Sequence, residues 1–161
     1  GANGREAEVG TILSPFAESE EEVRLYLIYL LPPFPRARIN TFLYPQEVAS
    51  DVIRDCHWAT MNFYAEMPPS LQDGDAWLLD FIESHAVPAT PPLRLGDVIV
   101  FLDRGGRPVH SCTHIAANIV FSKNGPTSRV PFVLSDLDVL REFYQQENCE
   151  LLVLRPKPAA P

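Results

Sequence analysis

Leu93-Arg94-Leu95-Gly96-Asp97-Val98-Ile99-Val100-Phe101, then Asp103-Arg104-Gly105-Gly106-Arg107, then Pro108-Val109-His110-Ser111-Cys112-Thr113-His114, read as strand, turn and strand. Residues 98–101 form a short apolar run bounded by Gly96-Asp97, the pattern of a buried strand. The paired glycines at 105 and 106 tolerate the positive φ of a hairpin turn. Further strands are expected at 111–116 and 119–122, with Ala117-Asn118 as a tight connection. On an extended strand His110, Cys112 and His114 share one face.

Upstream, residues 45–66 contain no glycine and no proline after Pro45, a long helical candidate with Val48, Val52, Trp58, Met61 and Phe63 as core contacts. Within it, Arg54-Asp55-Cys56-His57-Trp58 places an N-cap residue type immediately before a cysteine. If Asp55 restarts a helix at Cys56, unpaired N–H groups and the helix dipole favour a thiolate there; if the helix runs through, that activation is lost. A second helix is expected over 76–84, capped by Asp75, with Trp77, Leu78, Phe81 and Ile82 at helical spacing in the core.

Ser135 and Asp138 resemble a capping box opening a helix with Leu137, Leu140, Phe143 and Tyr144, and 149–154 reads as a last strand. Near the start, an acidic run at 18–22 leads into apolar residues 23–31, expected to be a buried strand that Pro32, Pro33 and Pro35 end. A cysteine-bearing helix followed by a mostly antiparallel sheet is an α+β arrangement. The expected organisation is a single domain over 1–161, in which 1–40 is an N-terminal extension with one buried strand.

Composition narrows the partners. At 161 residues the chain can bury a core without disulfide or metal staples. Its 13 basic and 21 acidic residues give a formal charge of −8, which offers no counter-charge to a phosphate backbone or an anionic lipid surface. Nucleic acid is therefore not expected as a partner. No apolar run approaches the ~20 residues of a spanning helix. The first residues lack the pattern of a signal peptide, which says little about export. Three cysteines indicate no disulfide framework.

An Asp-Cys opening an apolar helical pattern, a later Gly-Asp before an apolar strand, a Gly-rich turn and a histidine on the next strand resemble the NlpC/P60 family of papain-like cysteine peptidases. The likeness spans roughly 41–145 and assigns 41–161 to an NlpC/P60-like domain. It implies a mostly bacterial enzyme that cleaves cell-wall peptides outside the cytoplasm, secreted or in the envelope, without a cofactor. Cys56 is then the nucleophile and His110 the base. The family often orients that base with a second histidine about twelve residues on, where this chain has Ser122; Asn124, on the same strand face, is the amide type that papain-like enzymes also use and the slightly favoured orienter. Tyr44 stands at the offset of a family tyrosine that lines the pocket, and the oxyanion would be met by the Cys56 backbone N–H.

Departures from the pattern qualify these expectations. His57 and Trp58 stand where the family has small residues and would reshape the mouth of the pocket. Cys112 and His114 follow the base where small residues are usual, placing them among the residues that face substrate. Cys56 alone is equally a small buried residue, Tyr44 a loop aromatic, and 123–125 a plain turn. Cys56, His57, His110, Cys112 and His114 are also ligand types that zinc prefers, but in no recognised zinc spacing, so no metal is expected. Two alternatives to the hydrolase stand beside it: a relative that has lost catalysis and binds a peptide, and one that passes an acyl group to an acceptor other than water.

Overall fold

The computed structural model describes residues 11, 14, 26–49 and 51–157. They build an α+β domain around a six-stranded antiparallel sheet. The strands are β1 (Ala86–Pro88), β2 (Val98–Leu102), β3 (Pro108–Ala116), β4 (Ile119–Lys123), β5 (Phe132–Asp136) and β6 (Glu150–Pro156), in the spatial order β1-β6-β2-β3-β4-β5. Among the described residues from 26 on, the α-helical segments that accompany them are α1 (Leu27–Leu30), α2 (Pro33–Arg38), α3 (Pro45–Val48), α4 (Cys56–Met61), α5 (Gly74–Asp80) and α6 (Leu137–Gln146). A π-helical turn, Phe81–His85, continues α5. Among the described residues no helix is long and apolar enough to cross a membrane.

Central strand β2 explains the layering, because its side chains are buried on both faces. Val98 and Val100 pack with Leu78 of α5 and Met61 of α4, whereas Ile99 and Phe101 pack with Leu137 and Leu140 of α6. Helices therefore cover both sides of the sheet, and strand alternation assigns each neighbouring residue to one of them. Phe101 pairs with His110 and Ile99 with Cys112, so both of these lie on the α6 face; Ser111, opposite Val100, lies on the α4 face.

An aromatic cluster anchors the N-terminal half to the sheet. Phe34 meets Trp58, Phe121 and Phe132 edge-to-face at centroid distances of 5.4, 6.1 and 5.9 Å, the geometry that ring quadrupoles favour. Gly96 has φ of +89°, and a Cβ there would stand 2.1 Å from the Tyr64 hydroxyl, so the turn before β2 requires glycine. Asp97 beside it is buried and accepts from Arg155 Nε and Nη2 at 2.9 and 2.7 Å and from the Arg94 N–H at 2.8 Å. The Gly-Asp pair is thus a structural clasp between the start of β2 and β6.

Several sequence expectations are corrected. The apolar segment 23–31 is not a strand where it is described: 27–30 is a single helical turn with Tyr26 and Tyr29 exposed and only Leu31 fully buried, while 23–25 and the acidic run lie outside the described residues. The prolines do not simply end it; Pro33 sits at the first turn of α2, where its missing N–H costs nothing. Residues 45–66 are not one helix but α3 and α4 with an irregular link, because Asp55 adopts an extended backbone and caps α4 afresh. α5 is capped by Asp73 rather than Asp75. Asp136, not Ser135, caps α6, because 132–136 is a strand that the sequence reading missed.

Candidate active site

α4 begins at Cys56. The Asp55 carboxylate accepts the Trp58 N–H at 3.0 Å, which closes the first turn and leaves the N–H groups at the helix start directed toward the sulfur. Backbone N–H groups of Ser111, His57 and Cys56 all act to favour the thiolate. Burial outweighs them: Cys56 is 6 % exposed, and desolvation, with the Asp55 charge adding to it, pushes the thiol up to about 12. At rest the sulfur is therefore protonated.

His110 is also buried and sits between β4 and α6. Its ring stacks on Tyr144 at 5.0 Å and 15°, with Phe101 beyond it at 5.8 Å. Nε2 lies 3.1 Å from Ser122 Oγ, and Ser122 Oγ lies 3.2 Å from Asn124 Oδ1, an obligate acceptor. When the hydroxyl donates to Asn124, it accepts from Nε2–H, which leaves the lone pair on Nδ1. Ser122 is thus the direct partner of the imidazole and Asn124 the second link. Burial lowers His110 to about 4, with the charge of His57 adding to the effect, so the imidazole is neutral at pH 7.

Thiol and imidazole belong to opposite helix layers of the sheet. β3–β4 pairing runs from Thr113 with Phe121 to Ala116 with Ile119; beyond it the Ser111 carbonyl meets the Ser122 hydroxyl at 3.4 Å instead. Here the Cys56 sulfur acts electrostatically on Cys112 and Tyr144, raising both, although burial is the larger cause in each. These two residues stand on the face that carries His110. Among the described residues no hydrogen bond joins the sulfur to the His110 ring, so the resting pair is neutral and unlinked.

The remaining candidates separate. His57 lies beside the thiol on the α4 face: Ser111 donates its hydroxyl to Thr60 at 3.0 Å, so its oxygen accepts from His57 Nδ1–H at 2.9 Å, while Nε2 stands 3.9 Å from Asp75. With Asp75, Leu78, Leu79 and Pro108, His57 lines a cavity of about 90 Å³, next in sequence to Cys56 and close to the root of His110. Trp58, expected as a core contact of its helix and also at the pocket mouth, takes the first place only: it is fully buried in the aromatic core with Nε1 donating to the Ser70 carbonyl at 2.9 Å. Cys112 packs in the apolar layer under α6. His114 has both ring nitrogens at 2.9 Å from carbonyl oxygens, those of Arg94 and Ala117, which makes it a structural tie. Tyr44 stacks 4.3 Å over the Arg38 guanidinium in a different groove, which Cys56 does not line. Among the described residues no three His, Cys, Asp or Glu gather as a metal-holding group.

Two features near the site escaped sequence reading. Tyr144 packs on the His110 ring, although its helical spacing marks only a core face. Lys123 is fully buried on the α4 face, with Nζ donating to the Gly125 and Thr127 carbonyls. Burial lowers its ammonium, opposed by Asp55 and Cys56, which places a cation within electrostatic reach of the thiol. A lysine at the end of a strand ordinarily signals solvent, so the sequence carried no sign of this burial.

Compared with known proteins, the chain matches no family model, no curated protein and no solved structure.

Proposed function

We propose that this chain is a cysteine hydrolase of papain-like architecture, a divergent relative of the NlpC/P60 peptidases, that cleaves an amide bond through a thioester on Cys56. The observation that carries this reading is the chain from His110 Nε2 through Ser122 to Asn124, which fixes a neutral imidazole with Nδ1 free as a base. Substrate binding brings the thiol to that nitrogen. His110 takes the S–H proton as sulfur bonds to the carbonyl carbon, and the Cys56 backbone N–H meets the developing oxyanion. His110 then returns the proton to the leaving nitrogen as the C–N bond breaks. Water, deprotonated by the same ring, attacks the thioester; the acid departs and the thiol is restored.

Resemblance directs the choice of substrate to cell-wall peptides and the location to the exterior of a bacterial cytoplasm. The experiment is amine release from a panel of wall-derived and ordinary dipeptide amides, with Cys56→Ala and His110→Ala compared at equal protein. A loss of about 10²-fold or more in each variant is expected; unchanged release would assign the activity elsewhere. Including an alcohol or amine acceptor separates hydrolysis from acyl transfer.

A second reading, a fold relative that binds a peptide without cutting it, is favoured by the 6 % exposure of Cys56 and by its thiol being held up at about 12. It predicts peptide binding with no amine release and no effect of Cys56→Ala.

A further inference from the structure

We propose that Arg54 and Arg38 floor a carboxylate-binding site in a groove separate from Cys56 and His110, suited to the C-terminal residue of a peptide with an apolar side chain. The groove holds about 420 Å³ between the Tyr44–Arg54 segment and the loop carrying Met67 and Leu71. Both arginines line it and both are buried, Arg38 fully and Arg54 to within 4 %.

Their hydrogen bonds are incomplete in a way that points to a missing acceptor. Arg38 gives Nη2 to the Glu47 carboxylate, but among the described residues its Nε and Nη1 have no partner. Arg54 gives Nη1 to the carbonyls of Glu47 and Val52 at 2.8 and 3.2 Å, and its Nε has no partner among the described residues. Among the described residues no carboxylate meets Arg54. The Glu47 carboxylate accepts from Arg38 and from the Tyr44 N–H at 2.8 Å, whereas Arg54 reaches only the Glu47 backbone carbonyl. Two guanidinium groups and one carboxylate, that of Glu47, thus line the groove, a local positive excess on a chain whose formal charge is −8.

Aromatic faces hold the two planes in place. Arg38 lies between Tyr44 at 4.3 Å and Phe132 at 5.1 Å, and Arg54 stands 5.4 Å from the Trp58 ring. With the planes fixed, the N–H edges are left for a planar two-oxygen acceptor, the match for which a guanidinium fork is shaped. Tyr44 is 39 % exposed and forms the cover over Arg38, so an incoming oxyanion reaches that guanidinium as the ring turns aside. Met67 and Leu71, 46 and 64 % exposed, give the rest of the groove an apolar wall that free phosphate would not use.

The test is titration of the full chain with N-acetyl-leucine, N-acetyl-leucinamide and inorganic phosphate, followed through arginine Nε–H resonances. N-acetyl-leucine is expected to shift the Arg54 and Arg38 signals saturably and to bind at least tenfold more tightly than its amide. Arg54→Gln, folded by its amide spectrum, is expected to weaken the acid at least tenfold and leave the amide unchanged, and Arg54→Lys to fall between. Cys56→Ala is expected to bind as the wild type does, which separates this site from the proposed catalysis. Equal affinity for acid and amide, shifts confined to other residues, or phosphate saturating the same signals more tightly than N-acetyl-leucine would each overturn the proposal.

Discussion

Ser122 Oγ lies 3.1 Å from Nε2 of His110, and the same oxygen reaches Asn124. The hydroxyl works as a relay that fixes one tautomer of a buried ring, and its loss frees the ring to exchange tautomers. Ser122→Ala is expected to lower amide cleavage about 10- to 100-fold, with Asn124→Ala a smaller loss, because orientation contributes part of the rate that a placed base supplies. Turnover of the two variants against wild type checks this order; Asn124→Ala falling further than Ser122→Ala would contradict the relay.

His110 makes stability depend on pH. Its ring titrates near 6.5 when unfolded and about 4 when folded, so between those values the unfolded chain holds the extra proton. Stability therefore rises with pH across that window and is lost as pH falls from 6.5 toward 4, by about 3 kcal/mol. Urea unfolding at several pH values, with His110→Phe as reference, isolates the contribution. A variant that keeps the whole wild-type slope would rule it out.

Asp55 has two opposing effects. It caps α4, so Asp55→Ala is expected to cost about 1 kcal/mol and to lower Tm by about 2 to 4 °C. Its charge also holds the thiol up, second to burial, so the same variant should alkylate Cys56 faster at pH 8. Thermal melts and iodoacetamide kinetics read the two effects separately. Slower alkylation in a folded variant would show that the cap matters more to the sulfur than the charge does.

Asp97 holds β6 to the start of β2 through Arg155. Asp97 is buried while the Arg155 side chain is 26 % exposed and keeps the Pro92 carbonyl, so Asp97→Ala, which removes the acceptor of the Arg155 and Arg94 bonds, is expected to destabilise by about 2 kcal/mol. Denaturant unfolding measures it, and a cost below about 1 kcal/mol would mean that solvent takes over the pairing.

The central sheet was legible because β2, β3 and β4 each announce themselves locally, by an apolar run, a glycine pair or an alternation. The capped restart at Asp55 was legible as one of two options, and only the extended backbone at that residue decided between them. The turn of helix at 27–30 was not legible, since an apolar run that short reads equally as strand or helix. The burial of Trp58 was legible in its helical spacing, but its ring partners Phe34 and Phe132 arrive from distant segments and were not. At the candidate site, the family resemblance pointed to Cys56, His110, Ser122 and Asn124 and slightly favoured Asn124 as the partner of the ring, whereas Ser122 touches it and Asn124 stands behind, an order set by how β3 and β4 part beyond Thr113. The burial of Lys123 and the stacking of Tyr144 are tertiary and left no local trace.

The nucleophile-and-base assignment is tested most directly by intact mass and peptide mapping after brief exposure to p-nitrophenyl acetate. One acetyl group on Cys56 in the wild type, absent from His110→Ala while Cys149 reacts alike in both, is the predicted result. An unmodified Cys56 in the wild type, or equal acetylation of Cys56 in the variant, would contradict it.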